Sequence, residues 1–279
     1  MNELTVSYSG IRHRLIRKIQ DIKTDLSINN GCTYLNDAQH ICDYLSLSLL
    51  YGDLPNEECA LYSRDRGFIL VDLHKGLSER ISFSFFHEVS HHIIESDDKL
   101  YYQLTELSGM KDILDNIEED LANVGAAEFL MPSDEIKALI NQKGFSIKLF
   151  PEIFEKYPAS RQAVLVQMAQ CTSHQCILCL CTPTMDEHLH DRLMVEFSTS
   201  SSSTKYSMGK NFLIPLDHYL NHVSESNSFM TDRKAQIPYK KSKTIHKVNS
   251  EALFYEGKVY ALFNLTDAPL SKSDAPTLF

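Results

Sequence analysis

The sequence lacks any long apolar run, and this absence argues against a membrane-spanning helix. A transmembrane helix needs about 18 or more consecutive apolar residues, and no stretch approaches that length. The N-terminal residues also lack an apolar segment followed by a small-residue cleavage site, so the sequence predicts no secretory signal. We therefore expect a cytoplasmic protein with no membrane partner.

Basic residues are few relative to acidic ones. The chain has 27 Lys and Arg against 37 Asp and Glu, which gives a formal net charge of −10 at pH 7. A non-specific nucleic-acid binder is normally basic, so this balance argues against direct DNA binding. The seven cysteines are an odd number at irregular spacing. This pattern fits reduced thiols in a cytoplasm better than a disulfide framework.

The hydrophobic spacing predicts a fold that mixes helices and strands. Apolar residues recur at spacings of three and four over residues 11–26, 37–50 and 113–130, which predicts amphipathic helices. Two short apolar runs around a turn, within residues 60–73, predict a β-hairpin. From about Ser173 the pattern changes to short apolar runs between polar turns, as is typical of strands. The predicted fold class is α+β.

One helical segment carries an HExxH motif, His87-Glu88-Val89-Ser90-His91. Residues four apart share one helix face, so the imidazoles of His87 and His91 can bind one metal ion. Glu88 lies beside the pair, where a carboxylate can take a proton from metal-activated water. The five residues alone also fit a buried amphipathic helix whose histidines hydrogen-bond internally.

A second helical segment offers a third metal ligand. Glu119, Ala122 and Ala126 fall on one helix face, and small side chains around a carboxylate let this helix approach another closely. Two histidines and one carboxylate leave a coordination position open for water, as in catalytic zinc sites. The alternative is that Glu119 is one solvated charge in an acidic run.

The order of these motifs resembles a known family. Arg80 and Phe83 followed by the two histidines resemble the RxxFxxxHExxH signature of the ImmA/IrrE family of zinc metallopeptidases. Residues 119–132 are similar to that family's ExxA…LLMP segment. Both segments most resemble the IrrE (PprI) branch, which comprises bacterial radiation- and desiccation-response regulators. Ser90 stands where many relatives carry glycine.

The resemblance implies roles for individual residues. His87, His91 and Glu119 would be the zinc ligands, and Glu88 the catalytic general base. Glu118 is a neighbouring candidate for the third ligand, but only Glu119 lies three residues before the alanine of the ExxA pattern. Manganese or another divalent ion could replace zinc, because two histidines and a carboxylate accept several metals.

The resemblance also implies a domain organisation. Residues 1–132 would form a zincin-like metallopeptidase domain, residues 133–172 a small helical domain of helix-turn-helix type, and residues 173–279 a GAF-like α/β sensor domain. The helical domain has few basic residues, so we expect a structural or repressor-docking role for it rather than DNA reading.

The implied function is site-specific cleavage of a helix-turn-helix transcriptional repressor, which would induce a response to DNA damage, radiation or desiccation. An alternative from another class is a non-proteolytic regulator or antirepressor. Such a protein would bind a repressor or DNA and sense a ligand through its GAF-like domain. Either protein would work in the cytoplasm, and the sequence does not give an oligomeric state.

Two further groups of residues leave alternatives open. Cys176, Cys179 and Cys181, with histidines nearby, could form a second metal site, but no matching cysteine pair follows. We therefore favour a buried strand in which these cysteines act as small apolar residues. The group that stabilises the oxyanion opposite the metal is also open among Tyr101, Tyr102 and His92, which lie near the motif in sequence.

Overall fold

The computed structural model describes residues 7–108, 111–185, 190–204, 208–237 and 247–266. Helices and two separate sheets occur along one chain, which confirms the α+β class. The backbone contacts divide the chain into two compact units. The first runs to Glu135 and includes Phe154–Ser160, and the second comprises Ile136–Ile153 with the residues from Arg161 onward. The division into three domains stays a prediction.

The elements follow one another along the chain as a helical half and a strand-rich half. The helices are α1 (Tyr8–Asp25), α2 (Tyr34–Tyr44), α3 (Ser78–Ser96), α4 (Asp98–Ser108), α5 (Lys111–Leu130), α6 (Ser133–Lys143), α7 (Leu149–Lys156) and α8 (Arg161–Cys171). The strands are β1 (Ser48–Tyr51), β2 (Ala60–Ser63), β3 (Phe68–Val71), β4 (Cys176–Met185), β5 (Asp191–Ser200), β6 (Phe229–Gln236), β7 (Lys247–Tyr255) and β8 (Lys258–Asn264). Within the described ranges, every helix is too short or too polar to cross a bilayer.

The predicted hairpin is present and forms part of a three-stranded sheet. Strand β3 lies in the centre, parallel to β1 and antiparallel to β2. Gly67 closes the hairpin with φ of 62°, a left-handed conformation that glycine adopts without steric cost. Strand β2 pairs with β3 on one side only, so β2 is an edge strand of this sheet.

The helix predicted over residues 37–50 is wrong in its second half. Helix α2 ends at Tyr44, and Ser46 turns the chain with φ of 58°. Leu49 and Leu50 then belong to β1, where they pair with Ile69 and Leu70 of β3. The backbone hydrogen bonds of the sheet override the helical spacing of the leucines, since propensity yields to tertiary context.

Helices α3 and α5 approach closely at Ser90 and Gly125, where both side chains are small. A methyl group added to Gly125 would lie 2.3 Å from the hydroxyl oxygen of Ser90 and 2.7 Å from its Cβ. Ser90 is buried, and its hydroxyl donates to the Phe86 carbonyl at 2.7 Å. Close by, the rings of Phe86 and Phe129 stack with centroids 5.0 Å apart. This packing brings the HExxH motif of α3 next to the acidic run of α5.

The second unit is built on a five-stranded antiparallel sheet of order β5-β4-β8-β7-β6. One face of the sheet carries an apolar core that includes Ile177, Val195, Ala261 and Phe263. The predicted strands are confirmed at β4, β5, β7 and β8. The strand also predicted over residues 212–216 is wrong, since that segment forms an isolated bridge between Leu213 and Met194. Strand β6 has no clear alternation of apolar residues and was not predicted.

Candidate metal centre

Two histidines of α3 and one carboxylate of α5 converge in the first unit. The Nε2 atoms of His87 and His91 lie 3.1 Å apart. The carboxylate of Glu119 lies 3.3 Å from the first of these atoms and 3.4 Å from the second. The Glu119 side chain is 61% exposed, whereas both imidazoles are largely covered. The cluster is therefore open to solvent on the side of α5.

The donor set of this cluster fits a divalent metal ion. Two imidazole nitrogens and one carboxylate oxygen suit zinc or manganese and leave room for water in the coordination sphere. Among the described residues, His87, His91 and Glu119 are also the one group of three potential ligands whose donor atoms all lie within 4.8 Å of each other.

The outer ring nitrogen of each histidine has its own partner on α5. His91 Nδ1 lies 2.9 Å from a carboxylate oxygen of Glu118. His87 Nδ1 lies 3.1 Å from the amide oxygen of Asn123. The neighbouring acidic residues therefore take different positions: Glu119 faces both Nε2 atoms, and Glu118 lies behind His91. The sequence did not single out Asn123, although it follows Glu119 by one helical turn.

Glu88 lies beside the cluster and is held by the edge strand. The backbone N–H of Tyr62 in β2 donates to Glu88 Oε2 at 2.9 Å. Burial raises the pKa of Glu88 to about 7, although the Tyr62 hydrogen bond and nearby His91 act in the opposite direction. A carboxyl group with a pKa near neutrality can both accept and release a proton. The Tyr62 contact joins residues 26 positions apart, and no sequence pattern predicted it.

The surroundings of the two histidines shift their pKa values in opposite directions. Burial lowers the pKa of His87, and the neighbouring His91 lowers it further. At His91 burial also favours the neutral ring, but the hydrogen bond to Glu118 and three surrounding carboxylates outweigh burial and raise its pKa. Metal ligation requires a neutral imidazole, so a bound ion would displace any proton from His91 Nε2.

The three candidates for the oxyanion-stabilising group occupy different places. His92 Nδ1 lies 3.0 Å from the hydroxyl of Tyr62, the same residue whose backbone binds Glu88. Tyr102 is exposed, and its hydroxyl donates to Glu106 at 2.7 Å. The guanidinium of Arg64 lies over the ring of Tyr101. Among the described residues, these three side chains contact Tyr62, Glu106 and Arg64 rather than His87, His91 or Glu119, and the oxyanion-stabilising group stays unassigned.

In the part of the chain that the structure describes, the cysteines of β4 do not form a comparable site. Cys176, Cys179 and Cys181 are fully buried, and the Sγ atoms of the last two lie 3.9 Å apart. The ring of His174 stacks on Phe145. Two further histidines, His188 and His190, lie near these cysteines in the sequence. His188 lies outside the described residues. The prediction of a buried strand with apolar-like cysteines is confirmed.

Two curated proteins are similar to this chain, whereas no protein-family model matches it. The radiation response metalloprotease IrrE of Deinococcus deserti is 32% identical over 146 residues, which cover 50% of this chain and 51% of that protein. The radiation response metalloprotease IrrE of Deinococcus radiodurans is 24% identical over 210 residues, which cover 71% of this chain and 63% of that protein. The chain thus spans about half to two thirds of the length of these relatives.

A solved structure supports the fold alone. A Mycobacterium tuberculosis transcriptional regulator superposes with a TM-score of 0.56 at 15% identity, over 92% of this chain and 81% of that one. At this identity the match carries no information about the site. The two curated proteins confirm the resemblance seen in the motifs: this chain is similar to the IrrE radiation response metalloproteases.

Proposed function

We propose that this protein is a metal-dependent endopeptidase. One observation carries the proposal: the Nε2 atoms of His87 and His91 and the carboxylate of Glu119 converge beside the half-buried carboxyl group of Glu88. A scattered set of core histidines would not place three metal donors and a general base on one side of a helix pair. The names of the two IrrE relatives agree with this chemistry.

His87, His91 and Glu119 would hold the ion, which we propose is zinc, with manganese or another divalent ion as the alternative. When bound, the ion would supply Lewis acidity toward water and toward the scissile carbonyl. The histidines contribute neutral nitrogen donors, and Glu119 contributes the charge that balances the ion. Each protein ligand thus has a defined donor atom.

Glu88 would act as general base and then as general acid. Its Oε2 accepts the Tyr62 N–H, so we assign proton uptake to Oε1. The carboxylate would take a proton from the attacking water and pass it to the leaving amine. A pKa of about 7 matches this double task, because a general acid–base group works best when its pKa lies near the working pH.

The edge strand β2 would bind the substrate backbone. Its hydrogen-bonding edge opposite β3 faces α3, since the Tyr62 N–H reaches Glu88. An extended peptide can add to such an edge through main-chain hydrogen bonds. Extended backbone beside Glu88 would place a scissile peptide bond next to the metal donors, as a zincin-like domain over residues 1–132 requires.

The substrate we propose is a helix-turn-helix transcriptional repressor, whose cleavage would induce a stress response to DNA damage, radiation or desiccation. The radiation response named in both IrrE relatives supports this choice. A helix-turn-helix-like role of residues 133–172 in docking the repressor, and a GAF-like sensor over residues 173–279, complete the proposal. The five-stranded antiparallel sheet of the second unit supports the sensor assignment.

The test is a cleavage assay with the helix-turn-helix repressors of the source organism. We expect one repressor to yield a discrete pair of fragments by mass spectrometry when zinc or manganese is supplied, and none after chelation. Glu88→Gln is the matched control, since it should keep the metal and release no fragments. A variant that releases fragments as fast as wild type would contradict the proposed mechanism.

The same assay separates the second function class. If no repressor is cut but wild type and Glu88→Gln bind one repressor with equal affinity, the protein acts as a non-proteolytic regulator or antirepressor. The metal site would then have a structural role.

A further inference from the structure

We infer that Glu118 and Asn123 are positioning residues that fix the two histidines for metal binding. The inference rests on the proposed metal site and adds two residues that do not themselves bind the ion. The outer ring nitrogen of each histidine has a partner on α5: His91 Nδ1 lies 2.9 Å from Glu118 and His87 Nδ1 lies 3.1 Å from Asn123.

The Glu118 carboxylate is largely covered and contacts His91. Its side chain is only 14% exposed, whereas that of the adjacent Glu119 is 61% exposed. Burying a carboxylate costs free energy unless it gains a hydrogen-bonding partner. His91 Nδ1 supplies that partner, so Glu118 is held in one place instead of extending into solvent.

These contacts determine which ring nitrogen is free for the metal. A hydrogen on Nδ1 donates to Glu118 in one histidine and to the Asn123 amide oxygen in the other. Each Nε2 then keeps its lone pair, and the two lone pairs lie on the side of Glu119. Outer partners of this kind fix the tautomer and ring orientation and raise the basicity of metal-binding histidines.

The two hydrogen bonds differ in strength, so loss of Glu118 and loss of Asn123 should lower zinc affinity to different degrees. Glu118 is charged and largely buried, so its hydrogen bond is charge-assisted, whereas Asn123 is neutral and exposed. Losing an outer partner typically lowers metal affinity by about 10–100-fold. We expect Glu118→Ala to lie near the upper end of this range and Asn123→Ala near the lower end.

Zinc affinity, measured by competition with a chromophoric chelator, tests the inference without any substrate. Glu118→Gln should recover part of the affinity lost in Glu118→Ala, because its amide oxygen can still accept from His91. Asn123→Asp should bind zinc at least as tightly as wild type, since a carboxylate replaces the amide. Asp120→Ala is the matched control, as it removes an exposed charge from the same helix and should leave affinity unchanged.

The thermal midpoint of the metal-free proteins separates positioning from folding. We expect the metal-free Glu118 and Asn123 variants to melt within a few degrees of wild type while their zinc affinity falls. If both variants bind zinc as tightly as wild type does, the positioning role is wrong and the proposed function still stands. If wild type itself binds neither zinc nor manganese, both the positioning role and the proposed metal site are wrong.

Discussion

The sequence offers candidate metal ligands in two regions that the structure describes, and of these two the α3–α5 cluster alone has the geometry of a metal site. Between α3 and α5, two imidazoles and a carboxylate point their donor atoms at one another, and one side is open to solvent. In β4, Cys179 and Cys181 also bring two potential ligands together, with Sγ atoms 3.9 Å apart. The second pair is sealed in an apolar core.

The two regions differ in access to solvent and, for some of their groups, in the protonation that the environment favours. Burial raises the pKa of Cys176 to about 11, and the contact with Cys179 together with burial raises the pKa of Cys181 well above its usual value. Metals bind thiolates, so thiols held protonated in a dry core are poor ligands. At the α3–α5 cluster, burial instead favours the neutral ring of His87 that metal binding requires. Residue type alone therefore does not identify a metal site.

The largest effect should follow from removing a metal donor. His91→Ala deletes one Nε2 donor, and we expect bound zinc to fall from about one ion per chain to nearly none, because a three-ligand catalytic site cannot lose a ligand and stay tight. Elemental analysis of the purified variants measures this. Cys179→Ala serves as the contrasting variant from the other region. Full zinc in His91→Ala, or loss of zinc in Cys179→Ala, would reverse the comparison.

Removing the general base should separate chemistry from metal binding. In Glu88→Gln we expect zinc content to stay at the wild-type value and the cleavage rate to fall by about 10²–10⁴-fold, the usual contribution of general acid–base catalysis. Single-turnover cleavage of the identified repressor gives the rate. A Glu88→Gln protein that loses its metal would make Glu88 a ligand and refute the assigned role.

A larger side chain where α3 crosses α5 should lower the stability of the fold that positions the metal ligands. In Gly125→Ala the new methyl group collides with Ser90, so α3 and α5 must shift, and we expect a loss of about 1–3 kcal/mol in the free energy of unfolding. Denaturant unfolding of the metal-free protein measures it. Adding Ser90→Gly removes the colliding atoms, and the double variant should regain part of the stability. Equal stability of all three proteins would rule out a close-packed crossing.

The smallest effect should come from the cysteine region. Cys179→Ala removes one buried sulfur, and we expect a loss of about 1 kcal/mol in stability with no change in metal content. Titration with Ellman's reagent tests the same burial in wild type. Cys176, Cys179 and Cys181 should react only as fast as the protein opens, and rapid reaction of all three would contradict their placement in the core.

The sequence predicts the candidate metal ligands where their positions depend on spacing within one helix. The i,i+4 interval between His87 and His91 and the small residues after Glu119 made a site shared by α3 and α5 possible, and the resemblance to the ImmA/IrrE family selected Glu119 as the third ligand. Helix α5 (Lys111–Leu130) agrees closely with the helix predicted over residues 113–130, because apolar periodicity runs through this segment. Local spacing, however, determines only which residues share a helix face.

The rest depends on contacts between elements, which no local pattern encodes. Adjacent residues on a helix differ by about 100° in direction, so which of Glu118 and Glu119 meets Nε2 depends on how α5 crosses α3. The Tyr62 N–H reaches Glu88 from another element altogether. The strand at Leu49 and Leu50 exists because β3 offers its edge, and this partner outweighs the helical spacing of the leucines.

The contact between Ser90 and Gly125 also constrains how this sequence can change over time. The crossing has room for a Cβ atom on α3 or on α5, but not on both. A lineage with serine at position 90 must first lose that side chain before alanine becomes acceptable at position 125. The reverse order passes through a protein in which the added methyl group collides with Ser90. Substitutions at these two positions therefore have a preferred order, set by the narrow gap between two helices.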